Sequence, residues 1–226
     1  MRNRWLGPAV AAAMWAFALA VYARLPRTLP SHWNWRGEVD GWMDKPMGAL
    51  LLPLVATVLV VGLNVLRRVD PRRRNIERFS DDWRLMLNLI VLFMAVMEGA
   101  TLGFALGWPV DIGRVMMATI GLMLVAVGNY LPRIRSNWFM GIRTPWTMDS
   151  ERVWRATHRV GGRVFVAGGL LISAGALLLP AEARPWLLGP VVVAMIAVPL
   201  VYSYVAYRRE TAAPDPADTL SGGADR

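Results

Sequence analysis

Apolar and polar residues alternate along this chain in long blocks. Six apolar runs, Trp5–Ala23, Met47–Leu66, Leu85–Leu106, Val115–Leu131, Val164–Leu179 and Trp186–Tyr207, are separated by polar connectors. A helix of about 20 apolar residues crosses the ~30 Å hydrocarbon core of a bilayer. The pattern predicts an all-α, polytopic integral membrane protein with six transmembrane helices. The first run is longer than the ~7–15-residue apolar core of a signal peptide. It is therefore read as a retained helix, although Ala18-Leu19-Ala20 offers small residues at a cleavage spacing.

The connectors divide the chain. Residues 1–66 form an N-terminal two-helix unit whose extracytoplasmic loop, 24–46, is punctuated by Pro26, Pro30, Gly37, Gly41 and Pro46. Turns and short extended pieces are expected there rather than a long helix. Trp33, Trp35 and Trp42 in that loop suit the membrane–water interface. Residues 67–207 form a four-helix membrane domain interrupted by a polar, tryptophan-rich segment at 128–162. The tail, 208–226, is rich in Pro, Ala, Asp and Gly from Glu210 onward, and is read as disordered and cytoplasmic.

Charge then orients the helices. Six spans place the N-terminus, 67–84, 132–163 and the tail on one side, and these hold 19 of the 25 Lys and Arg residues. Basic residues favour the cytoplasmic side, so both termini are expected in the cytoplasm. The formal charge of +9 is explained by this bias, and direct nucleic-acid contact is not required. A 55% apolar content and a mean hydropathy of +0.37 agree with the membrane class. The lack of cysteine excludes disulfides and thiolate metal sites.

Few residues carry candidate chemistry. Glu98 is the one carboxylate inside an apolar run, and a charge there costs on the order of 2.5–3.5 kcal/mol. It is expected to face other helices. One reading makes it a proton or substrate contact; the other makes it a structural group bonding Asn64 or Asn129. Thr101 shares its face, and Gly99, Gly103 and Gly107 form a small-residue stripe that invites a helix. His32 with Glu38, Asp40 and Asp44 can hold a cation, but no known ligand spacing supports it. No hydrolase, zinc-protease or phosphate-loop motif occurs, so no enzymatic activity, metal or cofactor is expected.

Within 128–162 the spacing has its own logic. Thr147 or Asp149 is placed to cap a helix with Glu151 in its first turn. Val153, Trp154, Thr157, His158 and Gly161 fall on one face, and Arg152, Arg155 and Arg159 on the other. This predicts an amphipathic, interfacial helix leading into the fifth span. Arg133, Arg135 and Arg143 upstream are placed for lipid phosphates or acidic groups.

The segment GNYLPRIRSNWFMGIRTPWTMDSERVWRATHRVGG resembles the signature of the SdpI family. Asn129, Pro132, Arg135, Asn137, Gly141, Arg143, Thr144, Pro145, Trp146, Glu151, Trp154, His158 and Gly161 match its pattern; Ser136 and Met148 depart from it. The first loop is similar to a small domain of unknown function found at the N-terminus of that family, through His32, Gly37, Asp40 and Lys45. The resemblance implies a multi-pass protein of the bacterial plasma (inner) membrane that protects against a membrane-active antimicrobial peptide. It also implies signalling through a cytoplasmic repressor. The implied partners are membrane lipids, a peptide toxin outside and the repressor inside. Asn129, Arg135, Asn137, Arg143, Trp146, Trp154 and His158 are then the expected inner site.

Overall fold

The computed structural model describes residues 5–34, 37–69, 80–137 and 140–212. In chain order it has α1 (Leu6–Val21), strands β1 (Thr28–Trp33) and β2 (Val39–Asp44), α2 (Lys45–Val69), α3 (Ser80–Ala105), α4 (Ile112–Tyr130), a short α5 (Pro145–Asp149), α6 (Glu151–Leu178) and α7 (Arg184–Thr211). Short 3-10 turns follow α1 and α4. Among the described residues, six helices are long and apolar enough to span a membrane: all but α5. Each apolar run thus becomes one helix. The amphipathic stretch after Ser150 leads, as expected, into the fifth apolar run, and the two form one unbroken helix, α6. The tail begins later than the expected position 208, since α7 stays helical through Thr211. The rest of the predicted disordered tail, and most of the basic connector 67–84, lie outside the described residues.

The chain divides into two compact units, Met1–Met123 with Leu170–Leu188, and Leu124–Gly169 with Gly189–Arg226. In the first, α1, α2 and α3 pack through Ala11, Met14, Ala56, Val60, Leu87, Val91 and Met94. Small residues on α1 let the helices approach closely; a Cβ on Gly7 would lie 3.0 Å from the Asn88 side-chain oxygen. One pair of polar side chains in this core is satisfied within it. Thr57 Oγ1 accepts from Trp15 Nε1 at 2.9 Å and donates to the Pro53 carbonyl at 2.8 Å.

The first loop is a hairpin. β1 and β2 run antiparallel from Thr28↔Asp44 to Trp33↔Val39, with register shifts on both sides of His32. Gly37 turns the chain with φ +82°, and Asn34 closes the turn through both its backbone and its side chain to Glu38. Pro30 is tolerated because a two-stranded sheet has only edge strands. Leu29 fills the space above Gly48 at the start of α2, which seats the hairpin on the bundle.

The glycine stripe of α3 does not receive a helix. The ring of Trp108 occupies the space over Gly103, and Gly107 ends the helix with φ +84°. The Trp108 N–H donates to the Gly103 carbonyl at 3.0 Å, a Schellman closure. Nothing among the described residues lies within 4 Å of a Cβ built on Gly99.

Asp111 caps α4 by accepting from the Arg114 N–H at 2.8 Å, and it binds Arg184, at the start of α7, through two hydrogen bonds of 3.2 and 2.8 Å. The Arg184 hydrogen bonds hold the Asp111 carboxyl below its ordinary range, with partial burial opposing and the Arg114 N–H assisting. A carboxylate depressed in the folded state adds stability above its unfolded pKa, and that stability is lost as pH falls through the lowered folded value. Asp111→Asn is therefore expected to lower the Tm at neutral pH and to flatten the fall of Tm below about pH 4. Thermal unfolding of the purified protein across that range checks it; an unchanged acid slope refutes the coupling.

Candidate functional site

The second unit holds the polar segment, and its chemistry starts from a difficulty. Residues 134–137 and 140–144 are not helical, yet they adjoin apolar helices. Irregular backbone beside a membrane core must find hydrogen-bond partners inside the protein. Asn137, Trp154, His158 and Thr147 supply them.

Trp154 Nε1 donates to the Ile134 carbonyl at 2.8 Å. Asn137 Nδ2 donates to the carbonyls of Arg135 and Met140 at 2.8 and 3.2 Å, while its oxygen accepts from the Met140 N–H at 2.7 Å. His158 Nε2 accepts from the Ile142 N–H at 2.9 Å. Its Nδ1 lies 2.8 Å from the Trp154 carbonyl, which can only accept. The two contacts define a neutral imidazole with its proton on Nδ1. The ring also stacks on Trp154, centroids 4.1 Å apart, and both residues are fully buried.

Next to this frame runs a chain of buried hydroxyls. Thr144 caps α5 and forms a reciprocal box with Thr147, whose N–H donates to Thr144 Oγ1 at 3.2 Å and whose hydroxyl accepts from the Thr144 N–H at 2.9 Å. Thr144 Oγ1 donates to Ser203 Oγ at 3.1 Å, and Ser203 donates to the Leu200 carbonyl at 2.7 Å. Pro145 occupies the first helical position, where no N–H is required. Ser150 begins α6, accepting from the Val153 N–H and donating to Glu210 at 2.7 Å. The caps are thus Thr144 and Ser150, rather than the expected Thr147 or Asp149, because a short helix precedes the long one.

Three close approaches fix the backbone. A Cβ on Gly128 would lie 2.8 Å from the Gly162 carbonyl oxygen, and one on Gly162 would lie 2.6 Å from that of Gly128. α4 and α6 therefore cross backbone to backbone. Gly141 has φ +115°, and a Cβ there would collide with His158 Nε2.

The predicted face of α6 is as expected: Val153, Trp154, Thr157, His158 and Gly161 are buried, and Arg152, Arg155 and Arg159 are exposed. Arg133, Pro132, Arg135 and Arg143 are exposed too. Asn129 is exposed on α4 and is not part of the buried frame. Trp146 packs against Tyr204, centroids 5.1 Å apart. The residues not anticipated are on α7. Ser203, Tyr204, Tyr207 and Glu210 form one helical stripe that reaches Thr144, Trp146, Asp149 and Ser150 in turn, with Tyr207 donating to Asp149 at 2.8 Å. Their spacing of three and four residues was the signal that could have found them.

The remaining candidates belong to the first unit. His32 contacts Asp40, Glu38 is taken up by Asn34, and no cluster of three cation-binding side chains occurs among the described residues. Lys45 donates to the Leu25 carbonyl at 3.1 Å and lies over the Tyr22 ring. Glu98 is buried one turn from both Met94 and Leu102, and its Oε1 has no hydrogen-bond partner among the described residues. The Asn64 side chain lies outside the described residues.

Residues 133–203 match the SdpI/YfhL protein family, and residues 9–57 match a domain of unknown function (DUF1648). The immunity protein SdpI of Bacillus subtilis (strain 168) is 24% identical over 156 residues, covering 69% of this chain and 72% of that protein. No solved structure matches.

Gly141→Ala is expected to cost about 1–3 kcal/mol from the positive φ alone, with more from the contact with His158. Gly161→Ala clashes only with the tip of the Ile142 side chain and should cost less. Denaturant unfolding in detergent compares them, and equal stabilities would contradict the frame. Nitrogen-15 NMR should find His158 protonated on Nδ1 alone; the opposite tautomer refutes the assignment.

Proposed function

We propose that this chain, with its SdpI-family segment and its N-terminal companion domain, is a membrane immunity protein. It protects the bacterial cell from a membrane-active antimicrobial peptide and resides in the plasma membrane with both termini in the cytoplasm. The observation that carries the reading is the joint match, in one chain, of the SdpI/YfhL segment and the N-terminal domain, together with the likeness to an immunity protein over more than two thirds of both proteins. The distribution of Lys and Arg supports the orientation.

The geometry supports a non-enzymatic role. Both nitrogens of His158 are engaged, and the hydroxyls of Thr144 and Ser203 are aligned in a relay that ends on a carbonyl. The buried part of the segment is a frame, and its exposed residues include six arginines, Arg133, Arg135, Arg143, Arg152, Arg155 and Arg159. The hairpin with His32, Gly37, Asp40 and Lys45 faces the peptide on the outer side. The exposed Arg133, Arg135 and Arg143 recruit an acidic surface of a cytoplasmic repressor on the inner side.

A second reading, an ion-coupled transporter of a small molecule or lipid, is favoured by one observation: the buried Glu98 Oε1 with no partner among the described residues. A buried carboxyl inside a span is a functional candidate by default.

One assay separates the two. Sensitive cells expressing the protein, Arg143→Ala/Trp146→Ala or Glu98→Gln at matched membrane levels are challenged with membrane-permeabilising peptides. The immunity reading expects survival with wild type and Glu98→Gln, and loss of about tenfold or more in survival with the double variant. Loss confined to Glu98→Gln favours transport, and no protection by wild type rejects immunity.

A further inference from the structure

We propose that the exposed face of α6 at Arg159 and Arg163 is a binding site for an anionic phospholipid. Arg152, Arg155, Arg159 and Arg163 recur at intervals of three and four residues and form one exposed stripe, about 17 Å long at 1.5 Å per residue. The stripe is opposite the buried face of Trp154, Thr157 and Gly161. Its first half is neutralised: Arg155 pairs with Glu151 at 2.9 Å, and Arg152 lies 3.8 Å from Glu210. Its second half is not, since neither Arg159 nor Arg163 meets a carboxylate among the described residues. The two positions lie one turn apart on the helix, about 6 Å along the axis, a spacing from which two guanidinium groups can grip one phosphate diester.

The next turn of the same helix separates a lipid from a free phosphate. Val164, Phe165, Val166 and Ala167 succeed Arg163 directly, and Ala167 is exposed on the arginine side. Going up the face, charge gives way to short apolar groups within one turn. A ligand matching this face has an anionic head and an apolar tail, which is the chemistry of a phospholipid. The site requires α6 to be a membrane span and does not depend on immunity.

The purified full-length protein in detergent is tested by its Tm with added phosphatidylglycerol, phosphatidylcholine or glycerol 3-phosphate. Phosphatidylglycerol is expected to raise the Tm, and neither of the others to match it. Arg159→Gln/Arg163→Gln should lose more than half of that rise, and Arg152→Gln/Arg155→Gln, in the half of the stripe already paired with carboxylates, should retain it. An equal rise in Arg159→Gln/Arg163→Gln overturns the site. A full rise with phosphatidylcholine or with glycerol 3-phosphate overturns the anionic-lipid ligand. Native mass spectrometry of the single variants Arg159→Gln and Arg163→Gln gives an independent reading: fewer phosphatidylglycerol adducts than wild type supports the site, and wild-type retention refutes it.

Discussion

The second unit depends on one requirement: non-helical backbone between apolar helices has to satisfy its own N–H and C=O groups. A buried, unpaired polar group costs about 1–3 kcal/mol, so several left open at once would undo a fold of marginal stability. Trp154, Asn137, His158 and Thr147 meet that requirement at Ile134, Arg135, Met140, Ile142 and Thr144. This explains a segment dense in tryptophan, asparagine, threonine and histidine. These side chains bring both the shape to pack and an atom to pair.

The glycines answer to the same requirement. His158 reaches the Ile142 N–H only because no Cβ stands at Gly141, and α6 lies close enough to α4 only because Gly128 and Gly162 meet backbone to backbone. A hydroxyl relay then ties the short helix α5 to α7, and Tyr207 and Glu210 continue the attachment two turns further. The first unit obeys the same physics with fewer parts, as Thr57 both accepts from Trp15 and donates to Pro53.

A division of labour results. In the polar segment Thr144, Thr147, Trp154, Thr157 and His158 are buried and spent on structure, whereas its arginines are exposed on the surface. Loss of a frame residue should therefore act through the fold, whereas loss of an exposed arginine should leave the fold standing. The two kinds of variant differ in stability before they differ in activity.

The six helices were legible in the sequence because a bilayer imposes both a length and an apolarity on every span. The buried face of α6 was legible because helical spacing alone sorts Trp154 and His158 from Arg155 and Arg159. Spacing could not say what those faces touch. It could not tell that Asn129 is exposed while Thr144 is buried. It read Gly99, Gly103 and Gly107 as a seat for a helix, where Trp108 folds back over Gly103 instead. It passed over Ser203, Tyr207 and Glu210, whose partners lie about sixty residues earlier in the chain. Local periodicity is a property of one helix and is written in the sequence. Which carbonyl a histidine faces, and which ring fills the space over a glycine, depend on distant backbone, and only the tertiary structure decides them.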